Sequence, residues 1–177
     1  AWFYSSENNL GSGNPVVARA PTLHCGAANV LGNLCWRPYE ANNMRPLNIY
    51  LNGFDQTINS ILFSDTLKVV AKDADEGHFG VVSTTNRATL TINGRAAGAS
   101  HACPFGFEGP LSLVLDAHSD YTFIQTNRLN QMTGALIVSN GIFRIGARDS
   151  FAKAGELRVE EGARLEVATE LVQSFAS

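Results

Sequence analysis

The sequence predicts an all-β protein built as a stacked solenoid, and three observations carry that expectation. The run Leu136-Ile137-Val138-Ser139-Asn140-Gly141 returns 21 residues later as Leu157-Arg158-Val159-Glu160-Glu161-Gly162, with Gly134 and Gly155 at the same offset. Each run leads into a second alternating segment, Phe143-Arg144-Ile145 and then Leu165-Glu166-Val167. A fixed period near 20 residues, with short strands and glycine corners, is how a stacked repeat is written in sequence. The second observation is strict period-2 alternation over four to six residues in several places, the mark of half-buried strands. The third is composition. Charged residues are 16 % of the chain, below the usual quarter, and Gly is abundant at 16 residues. That balance suits a turn-dense β protein better than a helical one.

Residues 1–46 differ from the rest. Gly11, Gly13, Asn14-Pro15, Pro21, Pro38 and Pro46 break any clear period, so this stretch reads as an irregular N-terminal layer or cap with short strands. Residues 47–177 read as the repeat region. Leu47-Asn48-Ile49-Tyr50-Leu51 alternates and ends at Asn52-Gly53; Thr89-Leu90-Thr91-Ile92 does the same and ends at Asn93-Gly94. Residues 57–63, 67–70, 79–82, 111–115 and 121–125 are further β-leaning pieces. The clearest rungs fall within 134–168, and residues 169–175 suit a turn of helix or another strand. The closing glycines 53, 94, 141 and 162 are spaced by 41, 47 and 21, so the first two gaps approximate two periods. Residues 94–109 then read as an insertion, with Ala99-Ser100-His101-Ala102-Cys103-Pro104 leaving the coil.

Stacking in register predicts that Leu136 lies over Leu157 and Val138 over Val159 inside the coil. Outside, Ile137 neighbours Arg158 and Arg144 neighbours Glu166. Phe143 follows Gly141 sooner than Leu165 follows Gly162, so one extra residue belongs in the corner, because a slip within the strand would turn its apolar side outward. Exposed charge pairs add only a few tenths of a kcal/mol. The stability is expected from the interior Leu, Val, Ile and Phe, at roughly 1.5–3 kcal/mol per fully buried side chain. Asn-Gly is also a hairpin signal. The competing fold is therefore an antiparallel sandwich in which residues 136–139 turn back on 143–145. Recurrence of the whole strand–corner–strand unit, and a spacer at 146–154 long enough to circle back, favour the solenoid.

Several segments together resemble a known repeat. They are Leu51-Asn52-Gly53-Phe54-Asp55-Gln56-Thr57-Ile58, Ala88-Thr89-Leu90-Thr91-Ile92-Asn93-Gly94, Gly109-Pro110-Leu111-Ser112-Leu113, and the stretch 133–146 with its echo to Val167. In this order they look like the passenger-associated repeat regions of bacterial autotransporters and related large surface proteins. The resemblance covers about residues 47–168. It implies a right-handed parallel β-helix, exported and displayed at the cell surface or released outside the cell. In that family the repeat near the passenger's C-terminal end is associated with efficient export and folding across the outer membrane. No shared catalytic residues come with it.

The chemistry-bearing residues form no strong motif. His24-Cys25 with Cys35, and His101 with Cys103, lack the spacing of a zinc site. Cys25 and Cys35 could instead close a small disulfide loop, leaving Cys103 unpaired, or all three could be free. Asp73, Asp75 and Glu76 form a short acidic loop without the twelve-residue calcium pattern. Asp116-Ala117-His118-Ser119-Asp120 contains the residue types of a hydrolase triad but no nucleophile elbow. Asp65, Lys68, Arg144, Arg158 and Glu160 are candidate charges for a polysaccharide lyase or hydrolase, and read better as outward strand positions. Tyr50, Phe54, Tyr121 and Phe123 are scattered rather than arrayed as a glycan-binding stripe. No catalytic, cofactor-binding or metal-ligating residue is therefore assigned.

The net charge of −3 gives no reason to expect nucleic acid or an anionic membrane surface. The start Ala1-Trp2-Phe3-Tyr4 has no basic leader before an apolar stretch, and there is no initiator Met, so the chain reads as a processed or excised piece of something larger. The expected function is a non-enzymatic structural solenoid segment of an exported surface protein. Its partners would be neighbouring rungs of a larger chain, a glycan or a host protein, with self-association through the solenoid ends. The alternatives are a carbohydrate-active β-helix enzyme and a glycan-binding adhesin module.

Overall fold

Short alternating segments closed by turn residues fold here into fifteen strands, with no helix among the described residues. The structure is a computed structural model that describes residues 2–4, 22–31, 48–59, 81–103, 105–126, 130–147 and 150–168. In chain order the strands are β1 (Trp2–Tyr4), β2 (Thr22–His24), β3 (Asn48–Tyr50), β4 (Gln56–Ile58), β5 (Val81–Ser83), β6 (Ala88–Ile92), β7 (Ser100–Cys103) and β8 (Gly106–Gly109). They continue as β9 (Leu111–Asp116), β10 (Thr122–Gln125), β11 (Gln131–Met132), β12 (Ala135–Asn140), β13 (Ile142–Ile145), β14 (Glu156–Val159) and β15 (Arg164–Val167).

The strands form three sheets, in the orders β1-β2-β3-β5-β8-β11, β4-β6-β9-β12-β14 and β7-β10-β13-β15. The chain visits the sheets in rotation, so β5-β6-β7, β8-β9-β10 and β11-β12-β13 are complete circuits. This is a parallel β-solenoid of about four turns. Among the described residues every pairing is parallel except β1 on β2, where an antiparallel strand covers the outer edge of β2. The antiparallel sandwich is excluded by β12 and β13. They flank Gly141 but lie in different sheets, and each pairs with the strands one circuit before and after it.

The core follows from the register. On the second sheet Leu90, Leu113, Leu136 and Leu157 stack in one inward column, and Ile92, Leu115, Val138 and Val159 in the next. On the third sheet Phe123, Phe143 and Leu165 stack. Phe123 and Phe143 are 5.3 Å apart, and Phe151 closes on Phe143 edge-on at 5.6 Å. All three phenylalanines are fully buried. The expected outside neighbours are also present: Ile137 beside Arg158, and Arg144 ion-paired to Glu166 at 2.7 Å. The corner between β14 and β15 carries the extra residue, since Val138 pairs with Val159 but Phe143 pairs with Leu165.

Three expectations need correction. Leu157 and Val159 occupy the inward columns, yet they are 37 % and 42 % exposed, because no described strand lies above the last rung. Residues 94–109 are no excursion: β7 pairs with β10 in the third sheet and β8 continues the first, so the stretch is part of the regular path. Gly53 is not equivalent to Gly94. It follows β3 of the first sheet, whereas Gly94, Gly141 and Gly162 follow strands of the second. Within 1–46, β2 already stacks on β3 as part of the ladder. The pieces expected at 60–63 and 67–70, and the tail 169–175, lie outside the described residues.

The corners are fixed by side chains that extend the ladder. Asn29 Oδ1 accepts from the Thr57 amide at 3.0 Å, Asp55 Oδ1 from the Thr89 amide at 2.7 Å, and Ser112 Oγ from the Ala135 amide at 3.2 Å. Gln56, fully buried, accepts from the Val30 and Leu31 amides and donates to the Ala27 carbonyl, tying the opening segment to the first rung. Gly94 lies against the Tyr121 ring, where a Cβ would collide with the ring atoms. Gly109 has a φ of +78° and packs on the Thr84 backbone, which requires a residue without a side chain. Inside the coil Gln125 donates to the Phe105 carbonyl at 2.7 Å and to Asn130 Oδ1 at 3.2 Å, while Asn130 Oδ1 also accepts from the Phe107 amide at 2.8 Å.

Core and open rung should therefore differ in sensitivity. Leu136→Ala is expected to lower stability by ~2–5 kcal/mol and Phe143→Ala by ~3–5 kcal/mol, read as shifts in the urea midpoint. Val159→Ala, in the same stack but half uncovered, should cost less than about 1 kcal/mol. Equal losses at Val138 and Val159 would show that the last rung is covered like the others.

Candidate functional site

Period-2 geometry separates the first pair of sequence candidates. On β2, His24 points out and Cys25 continues the chain inward, so the two cannot share a metal. Cys25 is a free thiol, and its candidate partner Cys35 lies outside the described residues. Cys103 is free and fully buried, while Nδ1 of His101 is 2.9 Å from the Tyr121 hydroxyl. No group of three or more potential metal ligands occurs among the described residues. Asp116, His118, Ser119 and Asp120 are exposed around one corner, where the Asp120 amide donates to His118 Nδ1 at 3.3 Å. Asp65, Lys68, Asp73, Asp75 and Glu76 lie outside the described residues. Arg144 is paired with Glu166, and Arg158 with Glu160 at 3.3 Å.

Two surface features remain. One is an open groove of about 600 Å³ along the corner between the first and second sheets. Asp55, Thr89, Ser112, Ala135 and Glu156 take the same outward position in five successive rungs and form one wall. Arg87 and Thr133 stand on the corner side, and Gly134 and Gly155 leave the floor bare. Much of its polar capacity is already committed. Asp55 and Ser112 accept backbone amides, and Thr133 Oγ1 donates to the Gly109 carbonyl at 3.3 Å. The groove is thus largely a by-product of corner stacking.

The other feature is an outward row on the first sheet: His24, Tyr50, Ser83, Glu108 and Gln131, one from each successive strand. His24 and Tyr50 stack face to face, with ring centroids 4.9 Å apart and planes within 13°. The centroid distance matches the spacing of paired strands, about 4.8 Å, so the two rings follow one another along the solenoid axis. Tyr50 is 36 % exposed. At the far end, Lys153 Nζ donates to Gln131 Oε1. Sequence reasoning missed this row because it placed β2 outside the ladder. The signal was the repeated pair of an inward apolar residue and an outward polar or aromatic one: Leu23-His24, Ile49-Tyr50, Val82-Ser83, Phe107-Glu108. The other scattered aromatics divide between surface and core: Phe54 is exposed, whereas Tyr121 and Phe123 are buried.

No protein-family model, curated protein or solved structure matches this chain.

Burial sets the chemistry of the two inward thiols. It pushes Cys25 up to about 11. It pushes Cys103 up to about 12, partly offset by a hydrogen bond with the Phe105 backbone. Burial likewise raises the Tyr121 hydroxyl, with nearby Cys103 adding to the effect. The folded state holds these protons more tightly than the unfolded chain. Stability should be insensitive to these groups below about pH 9 and fall as pH rises from 9 toward 11–12, by up to about 1.4 kcal/mol per unit per thiol. In a Cys35→Ala background, a thiol reagent below pH 9 should label neither cysteine until guanidinium unfolds the chain. Rapid labelling of the native protein would contradict the burial.

Proposed function

We propose that this chain is a non-enzymatic structural solenoid segment of an exported bacterial surface protein of the autotransporter-passenger type. Its work is mechanical. The observation that carries the reading is the parallel ladder through three sheets, in register apart from one shift between Val138 and Asn140, in which each described rung offers the next a hydrogen-bonding edge and an apolar layer. Folding can then propagate rung by rung, since each unit is stabilised chiefly by its nearest neighbour. The last rung, with Leu157, Val159 and Val167 partly uncovered, has the character of a surface on which a further layer of the same kind can form.

On an outer-membrane route this propagation becomes directional. A rung that has folded outside cannot slide back through a pore that admits only extended chain, so each completed circuit favours outward movement. The family resemblance supports this route, and the repeat geometry supplies its physical basis. A carbohydrate-active enzyme draws less support, because the Asp55 carboxylate accepts a backbone amide and Arg144 and Arg158 are ion-paired.

The test places the chain between a secretion leader and an outer-membrane β-barrel in a Gram-negative host. The wild type should reach the surface as a protease-resistant fold. Leu136→Asp, which puts a charge in the middle of the Leu column, should reduce surface display several-fold with accumulation inside the envelope. Arg144→Gln, on the outer surface, should behave as wild type. Undiminished display of Leu136→Asp would refute the coupling of rung folding to export.

A further inference from the structure

We propose that the outward row of the first sheet holds a saccharide-binding slot, formed by the free face of Tyr50, the small residue Ser83 and the carboxylate of Glu108. This goes beyond the mechanical function and depends on the fold alone. Three observations carry it.

The first is the orientation of the Tyr50 ring. One face is covered by His24 in a near-parallel stack. The opposite face is on the side of Ser83, the next position in the same row. The second is the size of the gap. Parallel strands repeat about every 4.8 Å, so Tyr50 and Glu108 stand roughly 10 Å apart along the axis. A ring in van der Waals contact with Tyr50, about 3.5–4 Å away, comes to the level of Ser83. That side chain is half-buried and shorter than Tyr50 and Glu108, so it fills less of its level than either neighbour fills of its own. The aromatic run ends at Tyr50, and the next two outward positions are Ser83 and Glu108.

The third is the chemistry of the walls. One wall is an aromatic face, the base is a hydroxyl, and the far wall is a carboxylate followed by the Gln131 amide, which Lys153 contacts. A ring with an apolar C–H face and a polar hydroxyl rim satisfies all of these at once; a purely apolar ring would leave Glu108 facing it unpaired. Glu108 also sets the charge. It favours neutral hexoses and, more strongly, hexosamines whose ammonium group can pair with it, and it opposes uronic acids. Because the slot is one rung wide, it takes a single ring, as a chain end or a branch offers it.

The experiment titrates the full chain with cellohexaose, glucosamine hexaose and galacturonic acid hexaose, followed by heat of binding and by Tyr50 ring resonances. Binding should rank glucosamine above glucose, with galacturonate weakest. Tyr50→Ala should weaken binding by about tenfold or more, as loss of an aromatic platform worth ~1.4 kcal/mol would, while Tyr50→Phe retains it. Ser83→Phe, at an outward position, should abolish binding by filling the slot, with far-UV circular dichroism and melting unchanged. Phe54→Ala, an exposed aromatic outside the row, should have no effect. The proposal is overturned if none of the three sugars binds, if Tyr50→Ala and Ser83→Phe both bind as wild type, or if galacturonate binds best.

Discussion

Along the main columns of this molecule apolar lies on apolar: Leu136 rests between Leu113 and Leu157, and Phe123 on Phe143, each one circuit and about 4.8 Å from the next. Parallel, in-register stacking is the constraint from which the other features follow. It turns short strands, which could not be stable singly, into continuous aliphatic and aromatic columns. It also dictates what the surface can be. Outward positions fall into rows running along the axis, and a row is chemically interesting only if residues far apart in sequence take the same step. His24, Tyr50, Ser83, Glu108 and Gln131 span more than half the chain yet form one such row.

How much of this was legible in sequence depended on the regularity of the period. Between Gly134 and Val167 two circuits differ by a single corner residue, and there the pairings of Leu136, Val138, Phe143 and Arg144 could be written down in advance. Toward the N-terminus the circuits lengthen unevenly. On the first sheet, successive inward residues fall at 23, 49, 82 and 107. With no constant offset, Gly53 was matched to the wrong corner and β7 was taken for an insertion. Three-residue strands such as β2 and β3 also carry too little alternation to identify a sheet. The aromatic row was hidden for the same reason: a register must be known before an outward neighbour can be named.

The mechanical function and the saccharide slot place different demands on the scaffold. The first depends on the inside of the coil and on corner contacts such as Asn29 to Thr57 and Asp55 to Thr89, which hold each circuit in step with the last. The second depends on outward residues that contribute little to stability. Because the two sets point in opposite directions on the same strands, either can change with little cost to the other. A solenoid is suited to this division of labour, since its core is a property of one face of each strand alone.

A stack made wholly of aliphatic layers would have one weakness: any layer could sit on any other. The buried amides of Gln125 and Asn130 remove that freedom at one level. If the coils were mismatched by a circuit, the Gln125 amide would be parted from the Phe105 carbonyl and the Phe107 N–H from Asn130 Oδ1. Each loss would cost on the order of 1–3 kcal/mol. The polar pair thus works as an index mark, giving an otherwise repetitive column a unique alignment that hydrophobic matching alone cannot provide.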